Sequence, residues 1–236
     1  QITGRIEHFV GRHAMNIDGI GEEVAVQLHE SGLVDNVADL YDLTLDKLMS
    51  LEHFKQKASE RILGGLQKSL EVPFEQVIFA LSIAYVGETT AKVLARHVHN
   101  IDALITMPAE QLSAIPEIGP KIAESIVEHF AVPQNREIVE RLREAGLCMS
   151  LSEEQLAGRT NRLEGKKIVI SGVFAHHSRD EYKALIEQHG GKNVGSISGA
   201  TSMVLAGENM GPAKLEKARK LGITIMGEDD FLKMIE

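Results

Sequence analysis

Two patterns of apolar and polar residues divide the chain. Over residues 1–147, apolar residues recur at helical spacing in short segments separated by Gly, Pro, Ser and Asn, which predicts an all-α domain of amphipathic helices. From residue 163 to residue 236, short apolar runs alternate with helical patterns, which predicts a small α/β domain with a four-stranded parallel sheet. Residues 148–162 are mostly small or polar and are predicted to be a linker.

A five-residue motif recurs four times in the helical half. Its copies are Ile17–Gly21, Leu51–Lys55, Ile83–Gly87 and Ile115–Gly119. Each copy precedes a helical pattern, and the helices that follow share one face of small and aliphatic residues, as expected for a stacked repeat. We therefore predict four helical hairpins, each with a tight turn that leads directly into a helix.

The start of a helix that follows such a turn suits a phosphate. The first N–H groups of a helix have no internal partner and carry partial positive charge. The candidate phosphate-binding residues lie in the turns or in the first helical turn after them: Gly19, Ile20, Gly21, Lys55, Lys57, Val86, Gly87, Thr89, Ile118, Gly119 and Lys121. An alternative interpretation is that the hairpin glycines serve only the turn, because they need positive φ.

The four copies differ in the residues that would face a phosphate. Thr89 and Lys121 occupy equivalent places and can add a hydroxyl or a charge, whereas Glu23 occupies that place in the first hairpin and should repel. The second hairpin has Lys55 in place of the final Gly, which weakens the case for phosphate contact by its turn. Lys55 and Lys57 would offset that loss by their charge.

The charge of the chain argues against tight binding to nucleic acid. The net charge is −9, and residues 1–150 hold 13 basic and 22 acidic side chains against 12 of each in residues 151–236. An acidic domain gains little from counterion release. Any nucleic-acid contact would therefore depend on backbone dipoles and a few placed cations.

Composition excludes several other classes. The only cysteine, Cys148, rules out an internal disulfide and a multi-Cys metal site. No apolar run is long enough to span a membrane, so no membrane contact is expected and a cytoplasmic location is predicted. The ten histidines show no ligand spacing, and no nucleophile–base pair or metal set supports a self-contained enzyme.

Longer motifs in both halves are similar to one protein family. Gly4–Val10 and Ala14–Gly21, followed by Asp39–Leu43 and Val86–Ala91, resemble the helix-hairpin-helix domain of bacterial NAD-dependent DNA ligases. The later half resembles a BRCT domain in Lys167–Gly172, Gly190–Gly191 and Lys214–Ala218, with Phe231 where many BRCT domains carry Trp. The resemblance covers the whole chain in the family's order.

The resemblance implies the non-catalytic, DNA-binding C-terminal portion of a ligase that seals nicks in duplex DNA during replication and repair. Hairpin amides would grip phosphates without base specificity. The family's catalytic lysine, nucleotide-binding domain and four-Cys zinc site lie upstream, so no adenylation chemistry and no cofactor are expected here. The parent enzyme would use NAD, a divalent cation such as magnesium, and that structural zinc. The expected partner is nicked double-stranded DNA, and the expected location is the nucleoid within the cytoplasm.

Two further hypotheses stay open at this point. Ser171, Gly172 and Lys214 match positions where some BRCT domains hold a phosphoserine, although a strand end beside a solvated lysine is the preferred interpretation. The whole chain could also be a protein–protein interaction module without direct DNA binding, with proteins contacting the BRCT domain. Its acidic charge favours that alternative, and the Gly-ended turns favour DNA.

Overall fold

The computed structural model describes residues 2–52, 54–157 and 160–235. The chain divides into two compact units, Gln1–Leu151 and Ser152–Glu236. His53 of the second hairpin, and Gly158 and Arg159 of the predicted linker, lie outside the described residues.

The regular elements described in the first unit are helices. Its α-helices are α1 (Ile2–Val10), α2 (Glu22–Glu30), α3 (Leu45–Met49), α4 (Gln56–Ser69), α5 (Phe74–Ala80), α6 (Glu88–Val98), α7 (Ile101–Thr106), α8 (Ala109–Ala114), α9 (Pro120–Ala131) and α10 (Pro133–Ala145). A 3-10 helix covers Val37–Asp42. Helices α1 and α2, α3 and α4, α5 and α6, and α8 and α9 pack as the four predicted hairpins.

The repeated apolar face forms the core of this unit. The equivalent residues Leu28, Ile62, Leu94 and Ile126 are all buried, as are Ala25, Ser59, Ala91 and Ala123. The equivalent residues one position earlier are more exposed to solvent and lie at the rim of the core. They are Val24, Ala58, Thr90 and Ile122. Equivalent residues of the sequence repeat therefore occupy equivalent places in the core.

The helical unit extends past residue 147. Leu147, Met149 and Leu151 are buried in its core. The N–H of Ile101 donates to the carbonyl of Met149 at 2.8 Å, and the N–H of Leu151 donates to the carbonyl of His99 at 2.8 Å. The first residues assigned to the linker, 148–151, are therefore anchored to α7 and to the end of α6.

The second unit is an α/β domain. It contains α11 (Glu153–Leu156), β1 (Lys167–Ser171), α12 (Arg179–Gln188), β2 (Lys192–Asn193), β3 (Met203–Ala206), α13 (Pro212–Lys220), β4 (Thr224–Met226) and α14 (Glu228–Ile235). The four strands are parallel, in the order β2-β1-β3-β4. Ile168 and Leu205 pack with Tyr182 and Phe231 on one face of the sheet, while Val204 packs with the second core on the other.

The second strand does not lie where the sequence predicted it. The apolar residues of 194–197 indicated a strand, but β2 covers Lys192–Asn193. The N–H of Val194 makes one further bond to Ile168 at 2.9 Å, after which the chain leaves the sheet and Ile197 packs against Val169 in the second core. These apolar residues serve packing rather than strand pairing.

Among the described residues, no helix combines the length and apolarity that crossing a membrane requires.

Candidate nucleic-acid interface

The turns of the third and fourth hairpins are each closed by a backbone hydrogen bond. The N–H of Val86 donates to Ile83 at 3.1 Å, and the N–H of Ile118 donates to Ile115 at 3.0 Å. The residue before each donor has positive φ, 65° at Tyr85 and 69° at Glu117. This is the geometry of a type II turn, whose third residue must be left-handed.

The positive φ therefore belongs to the third residue of the motif and not to its final glycine. Gly19 has a φ of 96° at that third position, and a Cβ there would also crowd Ile62 at 3.0 Å, so both backbone and packing favour glycine. The final position is extended in every copy, with φ of −97° at Gly21, −100° at Lys55, −88° at Gly87 and −78° at Gly119. The interpretation that Gly21, Gly87 and Gly119 need positive φ is wrong.

The final glycines also have no steric reason to lack a side chain. No described atom lies within 4 Å of the position that a Cβ would occupy at Gly21, Gly87 or Gly119. Lys55 has the same backbone conformation in the second hairpin, so the turn accepts a side chain. What the three glycines provide is open space at the start of a helix, which lets another molecule approach the backbone.

The backbone at these helix starts is available to such a molecule. In each copy the carbonyl of the final motif residue accepts the first helical bond, at 2.9 Å from Ala25 and Ala91 and 3.0 Å from Ser59 and Ala123. No described side chain caps the helix at Gly21, Lys55, Gly87 or Gly119. The first N–H groups thus face outward without a helical partner, except at Pro120, which has none.

The apolar residues among the predicted site residues have a different role. Ile20, Val86 and Ile118 are buried, with 6%, 7% and 3% of their surface exposed. The N–H groups of Val86 and Ile118 are already used in the turns. These two residues therefore anchor the turns to the core, and the N–H groups left for a ligand are those of the next residues.

The polar residues of the predicted site are exposed. Lys55, Lys57, Thr89 and Lys121 all lie on the surface, as does Glu23. The lysines belong to the second and fourth hairpins, whereas the first and third carry Glu23 and Glu88 in the first turn of their helices. Positive charge at the hairpin tips is thus contributed by alternate hairpins.

The turn of the first hairpin packs against helix α4 of the second hairpin. A Cβ on Gly19 would lie 3.0 Å from Cγ1 of Ile62, and one on Gly65 would lie 3.2 Å from Cγ2 of Ile17. A guanidinium nitrogen of Arg61 lies 3.7 Å from a carboxylate oxygen of Asp18. Helix α4 therefore lies directly against the turn of the first hairpin.

The third and fourth hairpins pack in the same way. Ser125 Oγ of α9 donates to the carbonyl of Ala84 at 2.7 Å, and Lys121 Nζ lies 4.1 Å from the centre of the Tyr85 ring. Arg61 and Ser125 are equivalent residues of the repeat, because each lies ten positions after the first residue of its motif, Leu51 or Ile115. The four hairpins thus form two equivalent pairs, which the sequence repeat alone did not reveal.

The predicted BRCT phosphate residues lie around the carboxyl end of β1 and at the start of α13. Ser171 ends β1 and is buried, with 3% exposure, and Lys214 is exposed in the first turn of α13. Gly172 has a φ of 106°, and a Cβ there would lie 2.7 Å from the carbonyl oxygen of Gly207. Gly172 is therefore explained by the bridge between Val173 and Glu208.

The carbonyl of Gly172 is also occupied. Arg179 donates to it from Nε at 3.1 Å and from a terminal nitrogen at 3.0 Å. These contacts fix the position of the Gly172 carbonyl, and the phosphate-binding role of Ser171, Gly172 and Lys214 stays a prediction. No group of three or more His, Cys, Asp or Glu within the described residues is arranged to hold a metal ion.

Three family models match the chain. A SAM-like helix-hairpin-helix tandem matches residues 12–68, which contain the turns of the first pair of hairpins. A helix-hairpin-helix motif matches residues 76–139, which contain the turns of the second pair. A BRCA1 C-terminus (BRCT) domain matches residues 158–235. The paired arrangement of the hairpins agrees with the division between the first two matches.

The chain is also similar over its full length to proteins named DNA ligase. It is 56% identical to the one from Phocaeicola vulgatus over 236 residues, and 57% identical to the one from Bacteroides fragilis over 235 residues. The protein from Porphyromonas gingivalis is 45% identical over 236 residues. The chain spans 36%, 35% and 35% of the lengths of these relatives. It therefore combines helix-hairpin-helix and BRCT domains and is the counterpart of the region of DNA ligases that carries them.

Proposed function

We propose that this chain is the DNA-binding C-terminal portion of an NAD-dependent DNA ligase that seals nicks in duplex DNA during replication and repair. Its hairpins hold phosphates through backbone N–H groups and two or three lysines. Such contacts position the protein on the duplex without reading base sequence. The parent enzyme acts in the cytoplasm, at the nucleoid.

The observation that carries this proposal is the geometry of the final glycines. Gly87 and Gly119 lack a side chain where neither φ nor packing requires it. The space left open lies at a helix start, where N–H groups and the helix dipole attract an anion. A phosphate needs that space, because a side chain would hold it away from the amides.

The acidic charge of the helical unit is compatible with this mode of binding. The 22 acidic residues of 1–150 lower the long-range attraction to DNA, but amide contacts act at hydrogen-bond distance and are less affected by charges elsewhere. The proposal therefore implies modest affinity for the isolated chain and a shallow salt dependence. The rest of the ligase would add affinity and all of the chemistry.

The deciding experiment is a fluorescence-anisotropy titration of the chain against a nicked duplex at several salt concentrations. Gly119→Ala fits the extended backbone without strain, so it should leave the melting temperature unchanged and weaken binding. Gly119→Asp adds repulsion and should weaken binding by about tenfold or more. Gly64→Ala, at an exposed position of α4 with no described atom within 4 Å of the added Cβ, is the matched control and should bind like the parent.

The alternative is a protein-binding module that does not touch DNA directly. The net charge of −9 favours it, and BRCT domains are a common means of protein contact. On that hypothesis, Gly119→Ala and Gly119→Asp would bind nicked DNA as the parent does, or the parent would show no saturable binding. Either result, with folding verified by circular dichroism, would overturn the DNA proposal.

A further inference from the structure

An aromatic side chain lies exposed at the tip of the third hairpin. Tyr85 keeps 60% of its surface accessible in a turn whose φ of 65° is unfavourable for a bulky residue. The equivalent residues of the first and fourth hairpins are Gly19 and Glu117. The turn therefore does not require an aromatic residue, and glycine would fit it better.

The ring of Tyr85 is in contact with a cation from the neighbouring hairpin. Lys121 Nζ lies 4.1 Å from the ring centre, and Lys121 is the second residue of α9, directly after Gly119 and Pro120. The contact places the ring and the ammonium group between the starts of α6 and α9. An exposed cation–π pair adds little stability by itself, so it does not account for the strained aromatic residue.

We propose, on the basis of the DNA contact proposed above, that Tyr85 is itself a DNA-contacting residue. Its ring packs against the sugar–phosphate backbone of the duplex and holds Lys121 toward the phosphate at the α9 helix start. The two groups match the two parts of a nucleotide backbone, because a ring face suits deoxyribose and an ammonium group suits phosphate. Both groups are exposed on neighbouring hairpin tips, so one strand can meet them together.

This proposal differs from a structural role in what happens to stability. Tyr85→Gly relieves the left-handed strain, so the melting temperature of the chain should stay the same or rise. Affinity for a nicked duplex should fall by roughly fivefold to tenfold, equally for different sequences. If Tyr85 only braced the third hairpin against the fourth, the melting temperature would fall with the affinity, and the proposal would be overturned.

Two variants complete the test. Ser82→Gly also replaces a residue of positive φ, 55°, in the same connection, and it leaves the aromatic ring in place. It should bind like the parent, since strain relief alone does not alter DNA contact. Tyr85→Phe keeps the ring and should recover most of the affinity that Tyr85→Gly loses.

The outcome separates this proposal from the one on which it rests. If Gly119→Asp loses affinity while Tyr85→Gly binds as the parent does, Tyr85 has no DNA role and the hairpin proposal stands. If neither variant changes the affinity, both proposals are overturned. A loss in both variants, with Tyr85→Gly at least as stable as the parent, is the expected result.

Discussion

The backbone nitrogen of Asp18 lies 3.3 Å from the place that a Cβ atom on Gly65 would occupy. Gly65 is the second of two adjacent glycines in α4, and only this one faces the first hairpin. Gly64 has no described atom within 4 Å of its own Cβ position. The close approach of α4 to the turn thus explains why residue 65 is glycine. It does not explain Gly64, where glycine only lowers the stability of the helix.

The two glycines should respond in opposite directions to alanine. Gly64→Ala should stabilise the chain by about 0.5–1 kcal/mol, because alanine favours the helix interior. Gly65→Ala brings the same helical gain but crowds Ile17 and Asp18, so it should be less stable than Gly64→Ala by about 1–2 kcal/mol. Chemical denaturation of the two variants measures the difference. Equal stabilities would mean that the first hairpin moves aside freely.

Much of this unit follows from the sequence, because the repeat and its apolar face are local patterns. The prediction that each motif leads directly into a helix is confirmed at Glu22, Gln56 and Glu88, the residues that follow the first three copies. The contacts between hairpins were not predictable in the same way. Ser125 has the pattern of an ordinary helical serine, and its bond to Ala84 depends on packing between residues far apart in the chain.

The errors in the candidate site have a similar origin. Glycine at a turn suggests positive φ, but in the fold the left-handed residue comes two positions earlier, at Tyr85 and Glu117. Tyr85, which we propose as a site residue, is not among the residues predicted from the sequence, although the sequence holds a signal. It is the aromatic residue at a place where Gly19 and Glu117 stand in the first and fourth motifs.

A pH-dependent contribution to stability is expected from Asp39. Burial alone would raise the pKa of its carboxyl group, but hydrogen bonds from Arg141 and from the N–H groups of Asp35 and Asn36 outweigh burial and lower it. A carboxyl pKa that is lower in the folded state stabilises the fold above the unfolded pKa. That stability is lost as the pH falls below about 4 and through the lower folded value.

Asp39→Asn should therefore destabilise the chain at pH 7 by about 2 kcal/mol, since a charged hydrogen-bond partner is lost. The difference from the parent should shrink as the pH falls below about 4. Urea denaturation across this pH range tests the sign. Glu124→Gln, at an exposed position of α9, is the control and should show little difference at any pH. A constant difference for Asp39→Asn would mean that its charge is not involved.

The two units should separate at the segment between them. Residues 148–151 are held by the helical unit, and β1 begins at Lys167, so limited proteolysis should cut first within 152–162. Both products should remain folded, and removing residues 163–236 should change DNA affinity by less than about tenfold. Early cleavage within 17–145 would contradict the boundary. A larger loss of affinity would show that the BRCT unit contacts the duplex.

The lysines at the hairpin tips should act through phosphate charge alone. Lys121→Ala and Lys55→Asp should weaken binding to a similar degree on every sequence, because phosphate contacts carry no base information. Each lost phosphate contact should flatten the slope of log affinity against log salt by about one unit. Lys68→Ala, in the last turn of α4 and away from the tips, should leave the slope unchanged.

The comparison between Lys55 and Gly119 then tests what the amides contribute. Lys55→Asp replaces one side chain by another at a helix start that already lacks the open space, so its effect should be confined to charge and should diminish at high salt. Gly119→Asp also closes the space in front of the amides, so part of its effect should persist at high salt. Titrations of both variants from low to high salt measure the two parts. If both effects vanish together at high salt, the hairpins bind DNA by charge only, and the final glycines need another explanation.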